Sequence, residues 1–269
     1  MKRKVLITGS TDGIGKATAR ILAENDFYII IHGRNEDKCK NFQKELLNKG
    51  YDCEYVIGDF ASLKSVSEMA NCLKVKHLSL DILINNAGIY MKEKEFSVDG
   101  FEMTFAVNHL APFLLTNLLL DTIKNSNNAR IINVSSIAHT RGRKDFDNLN
   151  SEQIFDHYAA YAQSKLANVF HTYELAQKLN PEHVTVNCLH PGVISTKLLK
   201  KGFGMEGASL EEGASTSVYL ASSKEVENIS GKYFVQSKET PSSPDSYDKS
   251  VGKLLWEISE QMVSNFASI

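Results

Sequence analysis

Short apolar runs alternate with longer amphipathic stretches over most of the chain. The short runs are rich in β-branched residues, are apolar on both faces, and are bounded by Gly, Asn, Asp or Ser. These features are typical of strands in a parallel sheet that helices cover on each side. The predicted strands are residues 4–8, 27–32, 53–57, 81–85, 130–135, 184–189 and 233–235.

The stretches between these strands carry apolar residues at helical spacing. The predicted helices are residues 14–24, 35–48, 63–76, 100–124, 157–179 and 210–222, with a last helix near 250–264. Two segments break the pattern: residues 197–209 contain three glycines and are expected to be mobile, and residues 239–246 form a turn-rich connector. The alternation predicts an α/β fold, a doubly wound parallel sheet of about seven strands with helices on both faces, in one domain over residues 1–269.

Composition and charge argue against several classes of protein. The chain has 30 basic and 32 acidic residues and no run of five like charges, so we expect no nucleic-acid partner. Four scattered cysteines, at positions 39, 53, 72 and 188, predict a reduced, intracellular protein whose thiols are small buried groups. No HExxH motif or Cys/His cluster is present, so no metal site is predicted.

Two apolar stretches bear on membrane association. The N-terminal run covers only Val5 to Ile7, whereas a signal peptide needs about 7–15 apolar residues. The most apolar internal stretch, residues 110–120, is shorter than the roughly 18 residues of a membrane span. We therefore expect a soluble, cytoplasmic protein without a membrane span.

A glycine-rich loop joins the first predicted strand to the first predicted helix. Its sequence is TGSTDGIG, residues 8–15, in which the glycines allow a tight turn and a close approach to a pyrophosphate. The helix N-terminus adds free N–H groups and a favourable dipole. Because the spacing is G-x3-G-x-G instead of G-x-G-x-x-G, an ordinary tight turn is the alternative. The position between strand and helix favours a Rossmann-type, dinucleotide-binding domain.

The ends of the second and third strands bear on the choice of cofactor. Gly33 offers no carboxylate to repel a 2′-phosphate, and Arg34 offers a partner for one, so we predict NADP. The alternative for Arg34 is a solvated loop residue. Asp59 follows the third strand, where it could meet an adenine edge or cap the helix near Ser62.

Tyr161 and Lys165 are four residues apart on one face of a predicted helix. A nearby ammonium favours the phenolate, so we predict that Lys165 lowers the pKa of Tyr161 and fits it for proton transfer to or from an oxygen. The alternative is a core tyrosine beside a surface lysine. Tyr158 competes for the role, but its i+4 neighbour is Ala162.

Two polar positions complete the candidate chemistry. Ser136 follows the fifth strand, at the edge where open α/β sheets bind ligands, and could hydrogen-bond a substrate oxygen. Serines after a strand also serve ordinary turns. Asn108 lies inside a predicted helix, where it could bend the helix around a water or be simply solvated.

Together these residues form a pattern that resembles the short-chain dehydrogenase/reductase family over about residues 3 to 265. The motifs are TGSTDGIG (8–15), NNAG (85–88), Asn108, Ser136, YAQSK (161–165) and HPGVIST (190–196). The segments FAVNHLAPFLLT, RIINVSSIAH, YAQSKLAN and SGKYF resemble the retinol-dehydrogenase-like branch, as does the 25-residue separation of Ser136 and Tyr161.

The resemblance implies a role for each matched position. It implies that Tyr161 is the general acid/base, Lys165 binds the nicotinamide ribose, Ser136 orients the substrate oxygen and Asn108 holds a water in a proton relay. The cofactor-binding positions that it implies, together with those predicted above, are Gly9, Ser10, Asp12, Gly13, Ile14, Gly15, Arg34, Asp59, Asn86, Ala87, Gly88, Tyr161, Lys165, Pro191, Gly192, Val193 and Thr196. A substrate lid is expected near residues 197–215. Asp12 stands where some NADP-selective relatives carry a basic residue, so the prediction of NADP rests on Arg34.

The resemblance also implies a reaction: NADP(H)-dependent interconversion of an alcohol and an aldehyde or ketone. An apolar small-molecule substrate is expected, because the lid contains Leu198, Leu199, Phe203 and Met205. Many retinol dehydrogenases of this branch begin with a membrane anchor, which the N-terminal sequence here does not predict, and this weakens the case for a retinoid. The alternatives are a low-turnover NADP(H)-binding sensor or scaffold and a carbon–carbon double-bond reductase. A homodimer or homotetramer through the helices near residues 100 and 157 is expected from the family.

Overall fold

The structure is a computed structural model and describes residues 2–144 and 146–267. Eight strands form one sheet in the order β3-β2-β1-β4-β5-β6-β7-β8. The strands are β1 (Lys4–Ile7), β2 (Tyr28–Gly33), β3 (Cys53–Ile57), β4 (Ile82–Asn85), β5 (Ala129–Val134), β6 (Val184–His190), β7 (Lys232–Val235) and β8 (Lys238–Glu239). All neighbouring pairs are parallel except β7 and β8.

Helices follow the strands, as the alternating pattern predicts. They are α1 (Gly13–Glu24), α2 (Glu36–Asn48), α3 (Leu63–Lys76), α4 (Met103–Phe105), α5 (Ala111–Lys124), α6 (His157–Lys178), α7 (Lys197–Phe203), α8 (Leu210–Ser222) and α9 (Lys249–Val263). Strand residues alternate between two cores: Leu6 packs with residues of α3 and α5, whereas Val5 and Ile7 pack with residues of α1 and α2. The sheet is therefore buried on both faces, which confirms the predicted α/β fold.

The eighth strand was not predicted. β8 pairs antiparallel with β7 after a tight turn in which Gln236 and Ser237 have φ of 51° and 60°. Two-residue hairpin turns of this kind favour Gly or Asn, because L side chains are strained at positive φ. Gln-Ser carries no such signal, and the prediction of about seven strands is one too few.

The predicted helix 100–124 begins later and is not uniform. Gly100 lies in a turn with φ of 83°, and helical structure starts at Met103. A π-helical turn spans Ala106–Leu110, in which the Ala111 N–H donates to the Ala106 carbonyl. Pro112 has no N–H for the carbonyl four residues earlier and its ring crowds that carbonyl, so a widened turn before it accommodates the proline. Over Met103–Lys124 the chain is long and apolar enough to cross a membrane, but 78% of the most apolar window is buried inside the protein.

The lid segment (residues 197–215) is more regular than predicted. Residues 197–203 form α7, which ends at Gly204 with φ of 66°, and Ala208 then pairs with Ile194. The four cysteines are unpaired; Cys39, Cys53 and Cys188 are buried as expected, whereas Cys72 is exposed.

Candidate active site

A cleft of about 710 Å³ opens at the carboxyl edge of the sheet, where β1 and β4 lie side by side. From β1 the chain continues towards β2 on one side, and from β4 it continues towards β5 on the other side, so the order of the strands reverses between β1 and β4. Such switch points are where open α/β sheets bind ligands. The predicted site residues that line the cleft are Gly9, Asp12, Gly13, Ile14, Gly15, Arg34, Asp59, Asn86, Ala87, Gly88, Ser136, Tyr161, Lys165, Pro191, Gly192, Val193 and Thr196.

The glycine-rich loop forms a cradle at the start of α1. Asp12 caps the helix, since its Oδ1 accepts a hydrogen bond of 2.9 Å from the Gly13 N–H. Gly9 and Gly13 have positive φ, of 65° and 55°. A side-chain Cβ at position 15 would lie 2.4 Å from Asn86 Nδ2 and 2.5 Å from the Gly9 carbonyl oxygen, so only glycine fits there. The cradle is concave and presents backbone groups, as an anion site requires.

The NNAG segment is hydrogen-bonded to this loop. The Thr8 hydroxyl accepts from the N–H groups of Asn86 and Ala87, at 2.9 Å and 3.0 Å. The Asn86 side chain donates to the Thr8 carbonyl at 2.8 Å. A Cβ at Gly88 would lie 3.4 Å from both Asn108 Oδ1 and Lys165 Nζ. The loops after β1 and β4 are therefore hydrogen-bonded to each other, and the second loop passes close to Lys165 at Gly88.

Ser10 does not line the cleft, contrary to the prediction. Its side chain is fully buried, and its Oγ accepts a hydrogen bond of 3.0 Å from the His32 N–H. Thr11 lines the cleft instead. Thr11 also lies against Gly33, where a Cβ would approach the Thr11 side chain to 2.8 Å and Cys39 Sγ to 3.1 Å. Position 33 therefore has no room for the carboxylate that would repel a 2′-phosphate.

The ends of β2 and β3 form one wall of the cleft. Arg34 is exposed and lines this wall. Asp59 lines it as well, and its Oδ1 accepts from the Ala61 N–H at 3.0 Å. Ser62, and not Asp59, caps α3. The alternative role of Asp59 as a helix cap is therefore wrong.

His32, which sequence reasoning missed, braces the same wall. Its Nδ1 accepts from the Gly9 N–H at 3.0 Å, and its Nε2 lies 3.1 Å from the Gly58 carbonyl oxygen, which fixes the neutral ring with its hydrogen on Nε2. Burial lowers the pKa of His32 to about 4, which agrees with a neutral ring. The ring also packs against Phe60, with centroids 4.7 Å apart.

Tyr161, Ser136 and Lys165 meet in the cleft at the junction of α6 and the end of β5. Tyr161 and Lys165 are buried, and Lys165 Nζ lies 5.5 Å from the centre of the Tyr161 ring. Nζ also donates to the Val134 carbonyl at 3.1 Å. The alternative of a surface lysine is therefore wrong.

Burial shifts the pKa values of Tyr161 and Lys165 in opposite directions. Burial raises the pKa of Tyr161 to about 12, and a hydrogen bond with the Ser136 side chain only partly opposes this rise. Burial lowers the pKa of Lys165 to about 8. The predicted lowering of the Tyr161 pKa is wrong for the protein alone, because burial penalises the phenolate.

Asn108 lies behind the cleft, in the π-helical turn. Its Oδ1 accepts from the Ile89 N–H at 2.8 Å, and its Nδ2 donates to the Ile89 carbonyl and to Ser164 Oγ, both at 3.0 Å. The side chain is fully buried, so it is not simply solvated. These bonds join the loop after β4 to the helix that carries Tyr161.

The lid segment closes over the glycine-rich loop. Thr196 caps α7 by accepting from the Leu199 N–H at 3.1 Å. Lys197 forms an ion pair with Asp12. A Cβ at Gly13 would lie 3.8 Å from the Thr196 methyl group. The HPGVIST segment (residues 190–196) thus places the start of the lid segment beside the N-terminus of α1, which faces the cleft.

Aromatic side chains pack around Tyr161, and they include Tyr90, which sequence reasoning missed. The Tyr90 ring lies 5.3 Å from that of Tyr161 and 4.6 Å from that of Phe203 on α7. Its hydroxyl is hydrogen-bonded to His157 Nδ1 at 2.6 Å. Tyr90 therefore fixes the lid against the candidate catalytic tyrosine.

The model of the short chain dehydrogenase family matches residues 3–206. The chain belongs to this family. The human protein named retinol dehydrogenase 14 is 41% identical over 97% of this chain and 86% of its own length. The human polyprenol dehydrogenase is 40% identical over 97% of this chain and 84% of its own length. These relatives confirm the retinol-dehydrogenase-like branch of the short-chain dehydrogenase family.

Solved structures of other proteins superpose on the chain. An uncharacterized protein from Mycobacterium paratuberculosis matches with a TM-score of 0.83 at 30% identity, over 97% of this chain and 93% of that one. An NADP complex of Pseudomonas aeruginosa RhlG matches with a TM-score of 0.72 at 25% identity, over 86% and 93%. The short-chain dehydrogenase fold, an oxidoreductase activity and a nicotinamide cofactor follow from these similarities. The roles of single residues stay predictions.

Proposed function

We propose that this short-chain dehydrogenase uses NADP(H) to interconvert an alcohol and an aldehyde or ketone on a lipophilic substrate. The observation that carries the proposal is the meeting of Ser136, Tyr161 and Lys165 in the cleft that also holds the glycine-rich cradle. A hydroxyl, a phenol and an ammonium at one point suit proton transfer to a reacting oxygen. The names of the retinol and polyprenol dehydrogenases support an apolar substrate.

The described residues fit a dinucleotide. The cradle of Gly9, Gly13 and Gly15 would hold the pyrophosphate, because these glycines line the cleft at the N-terminus of α1. Thr11 and Arg34 would take the 2′-phosphate, and Asp59 would meet the adenine. Residues 86–88, Lys165 and residues 191–196 would hold the nicotinamide half.

When bound, the nicotinamide supplies or accepts the hydride. In carbonyl reduction the Tyr161 hydroxyl, which is protonated at neutral pH, donates its proton to the substrate oxygen. The Ser136 hydroxyl orients the same oxygen. The Lys165 ammonium lies beside the ring, where its positive charge would offset part of the burial penalty on the phenolate that proton donation leaves. In alcohol oxidation the same residues act in the opposite direction, and the Tyr161 oxygen accepts the proton from the substrate hydroxyl.

Replacing Arg34 with alanine tests the choice of cofactor. We expect NADPH affinity to fall about 10- to 100-fold and NADH affinity to change by less than about twofold, because a guanidinium–phosphate pair is charge-assisted. Fluorescence titration of both cofactors measures the ratio. Lys38→Ala, a neighbouring exposed cation outside the cleft lining, serves as the control. An unchanged NADPH-to-NADH ratio in Arg34→Ala contradicts the assignment.

The apolar lid predicts a dependence on chain length. Each added CH2 that the cleft buries contributes about 0.8 kcal/mol, so kcat/KM should rise about fourfold per carbon through a series of straight-chain aldehydes until the cleft is filled. Phe203→Ala should flatten the slope, because Phe203 lines the cleft. A flat series with the wild-type protein argues against a lipophilic substrate.

NADPH oxidation with a panel of lipophilic aldehydes and ketones tests the function as a whole. Tight NADPH binding with turnover, and an alcohol as product, is the expected result. Binding without turnover of any carbonyl favours the sensor or scaffold. Turnover of unsaturated ketones to their saturated forms favours the double-bond reductase.

A further inference from the structure

His139 lies in the turn that follows Ser136 and bonds to that residue twice. Residues 137–141 form a single 3₁₀ turn, which the Ser136 side chain caps. The backbone N–H of His139 donates to the Ser136 carbonyl at 3.1 Å, and the ring Nδ1 lies 2.7 Å from the same oxygen. The His139 side chain is fully buried, whereas Ser136 faces the cleft. The imidazole thus holds the backbone of Ser136 from behind.

The other ring nitrogen fixes which tautomer is present. The backbone N–H of Ser243 donates to His139 Nε2 at 2.9 Å. An N–H donor needs a lone pair, so Nε2 carries no hydrogen and Nδ1 carries it. Nδ1–H then donates to the Ser136 carbonyl. The ring is therefore neutral and bridges Ser136 to a segment 104 residues away.

That segment, the connector at residues 239–246, is itself fixed to the helix of the catalytic tyrosine. The Ser242 hydroxyl is hydrogen-bonded to the Tyr173 hydroxyl on α6 at 2.7 Å and to Ser246 Oγ at 2.6 Å. The Ser242 N–H donates to the Tyr247 hydroxyl at 3.1 Å, and the Tyr247 ring stacks on that of Tyr173. The connector therefore spans from α6 to His139.

We propose that His139 is a positioning residue for Ser136, and that the connector sets the position of Ser136 through it. Ser136 then keeps a fixed place relative to α6, which carries Tyr161 and Lys165. The proposal rests on the function proposed above, in which Ser136 orients the substrate oxygen. Misplacement of such a group by about 1 Å costs roughly 100-fold in rate.

Two substitutions at position 243 distinguish the effect of losing the backbone N–H from the effect of losing the side-chain hydroxyl. Ser243 has φ of −58° and ψ of 143°, so proline fits its backbone. It replaces the N–H donor by a ring carbon that also crowds His139 Nε2, so it breaks the bridge at that point. Ser243→Ala keeps that N–H and removes a hydroxyl that has no hydrogen-bond partner within the described part of the chain. We expect Ser243→Pro to lower kcat about 10- to 100-fold with the KM for NADPH unchanged, and Ser243→Ala to stay within about twofold of the wild type. Equal kcat values for the two variants overturn the proposal.

His139 variants provide the second comparison. His139→Asn keeps a donor near the Nδ1 position, so it should restore part of the kcat that His139→Leu loses. Thermal melting shows whether each variant is folded. A folded His139→Leu variant with wild-type kcat, or with its loss confined to KM, overturns the positioning role.

Nitrogen NMR of histidine-labelled protein tests the bridge without turnover. The His139 signal is the one that His139→Asn removes, and the expected pattern is a neutral ring protonated on Nδ1. A ring protonated on Nε2, or a charged ring at neutral pH, contradicts the bridge. If the wild type turns over no carbonyl, the proposed function fails, while this spectrum still decides the tautomer.

Discussion

Tyr161→Phe should bind NADPH nearly as well as the wild type and turn over roughly 10²–10⁴ times more slowly. The ring and its contacts with Tyr90 and Phe203 remain, so the cleft keeps its shape. Only the hydroxyl that exchanges a proton with the substrate oxygen is lost. Stopped-flow or steady-state NADPH oxidation with a good aldehyde measures the loss, and fluorescence titration measures cofactor affinity.

Tyr158→Phe is the matched control for this experiment. Tyr158 also lines the cleft, one helical turn earlier on α6, but it has no lysine four residues on. Its hydroxyl should be dispensable, with kcat within about threefold of the wild type. If the two variants lose activity equally, or if Tyr161→Phe keeps it, Tyr161 is not the general acid/base.

Acid should destabilise the protein well above the pH at which most carboxylates titrate. Burial lowers the pKa of His32 and His109 to about 4 and that of His171 to about 3. The unfolded chain binds protons at these sites below about pH 6.5, whereas the folded chain binds them only near pH 3–4. Stability is therefore complete above about pH 6.5 and falls as the pH drops towards 4. At pH 5 each histidine lowers the free energy of unfolding by about 2 kcal/mol, or about 6 kcal/mol together.

His171 allows this effect to be isolated. Neither ring nitrogen has a hydrogen-bond partner among the residues that the structure describes, and the ring lies among Phe113, His109 and Trp256. His171→Phe should leave the free energy of unfolding at pH 7 unchanged or raised, because the replaced ring nitrogens make no bonds. It should also recover about 2 kcal/mol at pH 5. Urea unfolding at both pH values measures this.

His183→Gln, at an exposed position, is the control for the His171 experiment. It should leave the difference in stability between pH 7 and pH 5 as it is in the wild type. A pH dependence that is identical in His171→Phe and the wild type contradicts the role of His171.

Much of the fold could be predicted because strand and helix patterns are local. The π-helical turn had a visible signal in Pro112, but a helix pattern alone does not place the widened turn. The β7–β8 hairpin had none, because Gln236 and Ser237 take positive φ without Gly or Asn. The homodimer or homotetramer stays a prediction. Within the single chain, α9 packs against α6, which is one of the helices predicted to form the contact between copies.

The candidate site divides in the same way. Tyr161, Lys165 and Ser136 could be predicted from spacing and from the ends of strands. Thr11 and Ser10 could not be told apart, because the buried backbone of His32 decides which one faces the cleft. Contacts across long separations, such as Tyr90 with Phe203 on the lid, leave no local pattern. The pKa of Tyr161 depends on burial, which the spacing of two residues does not report.

The position of β1 in the sheet has a consequence for folding during synthesis. β1 is made first, yet it pairs with β4 as well as β2, and β4 begins 78 residues after β1. Until β4 leaves the ribosome, one edge of β1 has open backbone groups and the apolar chain beside it has no cover. Parallel pairings across such separations form slowly and expose partly folded chains to aggregation. A chaperone would therefore be most useful at the stage of synthesis when β1, β2 and β3 have been made and β4 has not.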